Sequence, residues 1–163
     1  MTAVPITDGG ARDEGAAEHI GRQVLVVGVD GSPPSWDAFA WAAGAARRGN
    51  GRLVAVFVTP MVEPEVALSV GGPFNCHGAS EARDQMAEQL AQEVAWRAEE
   101  LGVEVTFVRQ KGGVAQVLTD VARSQRADLI AVGRSAKVLH RLAGSTSRRL
   151  VLSRDLPVIV VVP

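Results

Sequence analysis

Two short polar segments hold most of the side chains that could do chemistry. The first, Asp30-Gly31-Ser32, closes an apolar run, and the second reads GRSAKVLHRLAGSTS from Gly133 to Ser147. Gly133 directly follows the apolar stretch DLIAV, where backbone can approach a ligand with no side chain in between. Gly144-Ser145-Thr146-Ser147 stands where a helix should begin. Free N–H groups at a helix N-terminus, flanked by hydroxyls, form a ready anion site. Arg134, Lys137, Arg141, Arg148, Arg149 and Arg154 follow one another with no acid before Asp155, so the local field favours an anion. The same residues also suit a plain turn at Gly133 and an ordinary cap at Ser145, and on the residues alone both readings stand.

The surrounding elements decide whether these segments meet. Gln23–Val29 (QVLVVGV) is a nearly continuous apolar run, as expected of a strand buried on both faces of a parallel sheet. Ser32 followed by Pro33 marks a helix start, and Gly49-Asn50-Gly51 its stop. Arg52–Val58 reads as the second strand. Thr59–Gly78, with three prolines and three glycines, reads as a long loop. Ser80–Leu101 reads as a helix whose apolar stripe is Met86, Leu90, Val94, Ala98 and Leu101, closed by Gly102. Val103–Arg109 is the third strand. Gly112-Gly113 opens a helix carrying Val114, Val117, Leu118 and Val121. Asp128–Val132 is the fourth strand, a short helix starts near Ser145, and Pro157–Val162 is the fifth strand. Such alternation predicts an α/β domain with a doubly wound parallel sheet and helices on both faces. Ligands in such sheets bind at the carboxyl ends of the strands, where the strand order reverses. In the order 3-2-1-4-5 that point lies between the first and fourth strands, beside both polar segments. Residues 1–21 lack periodicity and read as a disordered tail, with the domain spanning 22–163.

Composition removes several function classes. The 163 residues are 47% hydrophobic and 21% charged with a net charge of −1, which suits one soluble domain and argues against a globally basic nucleic-acid binder. One cysteine, Cys76, excludes an intramolecular disulfide framework and fits a reducing, cytoplasmic home. No apolar run is long enough to span a membrane. There is no P-loop sequence, no GxGxxG after the first strand and no GxSxG around Ser135. Cys76-His77 lacks the partners of a metal site, and Glu63 and Glu65 lack a facing acid for paired-carboxylate catalysis. His140, in the basic loop, is placed either to touch phosphate or ribose or to sit solvated. Trp36 and Trp41, five apart on one helix, cannot both face the sheet.

Taken in order, the strand ending Val29-Asp30-Gly31-Ser32, the Gly112-Gly113 turn, ADLIAVG (Ala127–Gly133), the Gly144-Ser145 helix start and PVIVVVP (Pro157–Pro163) resemble the universal stress protein family over residues 22–163. The resemblance implies a five-stranded sheet of order 3-2-1-4-5, adenine nucleotide alpha hydrolase-like, and homodimers built through the last strand, 157–162. The apolar edge there fits, because an exposed edge must be covered. One branch of the family binds ATP through glycine, two residues, glycine, nine residues, glycine, then serine or threonine. On that pattern Gly133 matches the first glycine, and Gly144 with Ser145 the closing pair, with Thr146 beside them. Asp30 matches the aspartate on the adenine and ribose side, and Val58 lies where the family's backbone meets adenine. Two departures stand out: Ala136 replaces the second glycine, and only seven residues (137–143) precede Gly144.

The expected function is therefore a stress-response nucleotide-binding module for ATP, with Mg2+, or AMP, acting through binding and dimer signalling. The alternative is a nucleotide-independent dimer of the same fold, favoured by Ala136 and the short loop. No side chain stands out as a base for water, so ATP hydrolysis would be slow at most.

Overall fold

The computed structural model describes residues 6–8, 22–59, 76–134, 150 and 158–162. In chain order its elements are β1 (Ile6–Asp8), β2 (Val24–Gly28), α1 (Pro33–Arg48), β3 (Arg52–Thr59), α2 (Cys76–Leu101), β4 (Glu104–Lys111), α3 (Val114–Ser124), β5 (Leu129–Gly133) and β6 (Val158–Val162). All pairings are parallel, and the sheet order is β1-β4-β3-β2-β5-β6. Five of these strands reproduce the expected order 3-2-1-4-5.

The sixth, β1, lies inside the stretch read as a tail. Ile6, Thr7 and Asp8 pair with Phe107, Val108 and Arg109 on the open edge of β4. Its sequence signal is small: two β-branched residues between Pro5 and Gly9-Gly10.

The central strands are apolar on both faces because both are covered. Leu25, Val27, Leu53, Ala55, Phe57 and Ala131 face α1 and α2. Val24, Val26, Val54, Val56, Ile130 and Val132 face α3 and the helical residue Leu150. Fully burying one such aliphatic side chain is worth about 1.5–3 kcal/mol, so both faces contribute to holding the sheet between the helices.

Two helices differ from expectation in detail. α2 begins at Cys76, not Ser80, which moves Cys76 and His77 from the loop onto a helix. Its buried stripe is Ala87, Leu90, Ala91, Val94 and Ala98, while Met86 is 42% exposed. The two alanines allow close approach to the sheet and α1, which turns Met86 outward. Residues 60–75 of the expected loop, with Glu63 and Glu65, lie outside the described residues, as does most of the expected helix from Ser145.

Candidate functional site

The register brings three of the marked residues to one place. Gly28 pairs with Val56, and Val27 with Ala131. Continuing those ladders sets Asp30 level with Val58 and Gly133 level with Val29, at the carboxyl ends of three adjacent strands. This is the point where the chain order reverses. Ala136, Gly144, Ser145 and Thr146 lie outside the described residues, as do Lys137, His140 and Arg141.

The β2–β3 ladder stops here. Val29 N–H donates to Val56 O at 2.9 Å as the last rung, while Asp30 N–H, on the β5 side of the strand, donates to the Ser35 hydroxyl at 3.3 Å. Alternate residues of a parallel strand direct both backbone groups to the same neighbour. Val58 therefore aims its N–H and C=O the same way as Val56, past the last rung of β2. Thr59, one residue on, faces β4 instead, where its carbonyl accepts from Gly112 N–H at 3.0 Å. The Thr59 hydroxyl is buried without a hydrogen-bond partner among the described residues.

Asp30 is held by its own turn. Its Oδ1 accepts from the Ser32 hydroxyl at 2.5 Å and from Ser32 N–H at 3.0 Å. Partial burial raises the carboxyl's pKa, but the Ser32 hydroxyl and amide outweigh it, and the net shift is downward. The group is thus an ionised acceptor at neutral pH. Gly31 takes the left-handed conformation at φ 81° that closes this turn at no steric cost. Leu90 and Met86 of α2 flank it: a Cβ on Gly31 would lie 3.4 Å from Leu90 Cδ2 and 3.9 Å from Met86 Cε.

The helix start at α1 is not an anion site. Pro33 and Pro34 have no N–H, and Ser35 and Trp36 N–H both donate to Ser32 O, at 3.0 and 3.1 Å. With the Ser32 hydroxyl committed to Asp30, the first turn has no spare donor. Any phosphate contact at this edge must come from elsewhere.

Packing on α1 by itself requires glycine at position 133. A Cβ there would sit 2.1 Å from Pro34 O, 2.4 Å from Pro34 C and 2.9 Å from Ser35 N. The end of β5 packs against the backbone of α1's first turn, and only a residue without a side chain fits. Beyond it, Arg134 N–H donates to Val162 O at 2.8 Å, tying β5 to the end of β6.

Sequence reasoning missed Ser35, Met86 and Leu90 at this site. Ser35 is 5% exposed and links both sides of the turn, accepting from Asp30 N–H and donating to Ser32 O at 2.8 Å. The spacing Ser32-Pro-Pro-Ser35 carried that signal. Of the aromatic residues, Trp36 packs on the core and against Phe39, with the Arg97 guanidinium 4.5 Å above its ring, while Trp41 is exposed. Among the described residues no group of three His, Cys, Asp or Glu could hold a metal, and no helix is long and apolar enough to cross a membrane.

The family model described as the universal stress protein family matches residues 21–162. This chain belongs to the universal stress protein family. It is 30% identical over 139 residues to a universal stress protein of Methanocaldococcus jannaschii, covering 84% of this chain and 80% of that one. A universal stress protein family structure from Burkholderia pseudomallei superposes with a TM-score of 0.70 at 22% identity, covering 87% of this chain and 96% of that one. Among further neighbours, a universal stress protein in complex with cAMP gives a TM-score of 0.67 at 21% identity, covering 88% and 99%. One from Archaeoglobus fulgidus in complex with dAMP gives 0.59 at 19% identity, covering 88% and 100%. These likenesses establish the adenine nucleotide alpha hydrolase-like fold for this universal stress protein.

Proposed function

We propose that this universal stress protein binds an adenine nucleotide at the switch point and works as a binding module. The observation that carries the reading is the Val58 backbone pair, which lies past the last β2–β3 rung, Val29 N–H to Val56 O. One donor and one acceptor side by side suit the edge of a 6-aminopurine, which offers an amino donor beside a ring-nitrogen acceptor. The Asp30 carboxylate, ionised and level with Val58, is the acceptor for ribose hydroxyls. The phosphates fall to the segment holding Ala136, Gly144, Ser145 and Thr146, since α1 has no spare donor and the run from Arg134 to Arg154 is basic. The cAMP and dAMP bound by structural neighbours support an adenine ligand. ATP, carrying Mg2+ on its phosphates, and AMP are the candidates for this chain.

The same reading makes the protein a homodimer through β6, acting in stress signalling in the cytoplasm. The outward residues Val158 and Val161, 65% and 40% exposed, support the dimer. Ile159 packs against the core instead.

A second reading, a nucleotide-independent dimer, is favoured by Ala136 and the shortened loop. Ligand retention separates the two. Freshly purified protein is denatured, and any released nucleotide is identified by mass spectrometry. Stoichiometric AMP, ADP or ATP is the expected result. If nothing is released and nucleotide-depleted protein cannot be reloaded, the nucleotide-independent dimer is the better account.

A further inference from the structure

The family match begins at residue 21, so β1 lies outside it. The five-stranded sheet has two edges, β6 and β4. An unpaired edge presents a row of amides and carbonyls that templates pairing with another chain. β4, reading EVTFVRQK, is rich in β-branched and aromatic residues and therefore well suited to such pairing.

The backbone directions can be read from the ladder. Gly112 N–H donates to Thr59 O across β3, so the even-numbered residues of β4 face β3, and Val105, Phe107 and Arg109 face the outer edge. With Thr7 opposite Val108, Thr7 is the residue that exchanges both bonds. Its N–H meets Phe107 O, and its C=O meets Arg109 N–H. Fifteen residues join Asp8 to Val24. They must return across roughly three strand spacings and five rungs, about 22 Å, which is well within the reach of such a linker. The pairing closes within one chain.

We propose that residues 6–8 are a guard strand that occupies the β4 edge in cis and keeps a second copy of this chain from pairing there. The edge beneath is a self-association surface, and its occupant when the guard is displaced is the β4 edge of another copy. Three rungs make a shallow contact, at the weak end of local stability within a fold, so the guard can be displaced without unfolding the domain. With β6 as a second association edge, unguarded chains would grow beyond a closed dimer, because two different edges generate open assemblies.

The test uses the full chain and Thr7→Pro, which removes the Thr7 N–H and obstructs the rung. Hydrogen exchange at Arg109 N–H and sedimentation mass across a micromolar concentration series are read together. The expected result is a protected Arg109 amide in the wild type, exchange at least roughly tenfold faster in Thr7→Pro, and a mass that grows with concentration only in the variant. A peptide spanning residues 1–12, added in trans, reverses that growth. An unprotected Arg109 amide in the wild type overturns the proposal. So does a Thr7→Pro variant that loses protection yet keeps the wild-type mass at every concentration. A mass that falls in Thr7→Pro overturns it too, since β1 would then be joining copies rather than separating them.

Discussion

Substituting Gly133 by alanine tests the geometry of the switch point. An added Cβ would lie 2.1 Å from Pro34 O and 2.4 Å from Pro34 C, more than an ångström inside normal contact. The obstacle is backbone in the first turn of α1, so no side chain can swing aside. Either β5 or α1 must shift, and overpacking of this kind costs about 1–3 kcal/mol. For a domain of this size, about 2 kcal/mol lowers the melting temperature by roughly 4–8 °C. The control is Gly44→Ala in α1, where the added Cβ meets only the far end of the Arg48 side chain, at 3.3 Å. Helical alanine is favoured over glycine by about 0.5–1 kcal/mol, so this variant should melt slightly above the wild type. Calorimetric melts of the three proteins decide the matter. A Gly133→Ala protein that melts with the wild type would refute the close packing, and with it the reason given for glycine at the end of β5.

Asp30→Asn should flatten the acid limb of the stability profile. The folded carboxyl sits below its usual pKa, so its contribution is complete above about pH 4 and is lost as pH falls through the folded value; urea midpoints between pH 5 and 3 should drop less in the variant than in the wild type. Thr59→Val removes a buried hydroxyl that has no partner among the described residues, and ligand-free protein should be unchanged or up to about 1 kcal/mol more stable; a loss above about 1 kcal/mol in denaturant titration would mean the hydroxyl has a bonding role. Val161→Lys, at an exposed position of β6, should convert the expected dimer to monomer in sedimentation, with unchanged circular dichroism.

Much of the fold was legible because the central strands carry no polar face. The runs VLVVG and LIAVG are covered on both sides, so their continuous apolar character pointed directly to a parallel sheet. The helix stops were legible too: Gly102 takes φ 61° and Asn50 φ 48°, conformations that glycine and asparagine tolerate. What escaped was set by tertiary contact. β1 has three residues and exists only because β4 offers an edge. Met86 has the right spacing for the core stripe, yet Ala87 and Ala91 bring the helix in on a different face. Gly133 reads from the sequence as a place for backbone approach to a ligand, and the structure adds a close approach to the backbone of α1. Asp30 and Val58 are linked in the sequence only through the family pattern, and the β2–β3 register sets them level. Nothing local in RLVAVFVT says that the β2–β3 ladder would stop short of Val58.

The central claim is that the released Val58 backbone pair and the Asp30 carboxylate form an adenine nucleotide site. Isothermal titration of nucleotide-free protein with AMP, then ATP, tests it most directly, with Asp30→Ala as the companion protein. The account predicts saturable binding at one site per chain and a clear weakening in Asp30→Ala. A flat titration of folded wild-type protein at millimolar AMP and ATP would contradict it.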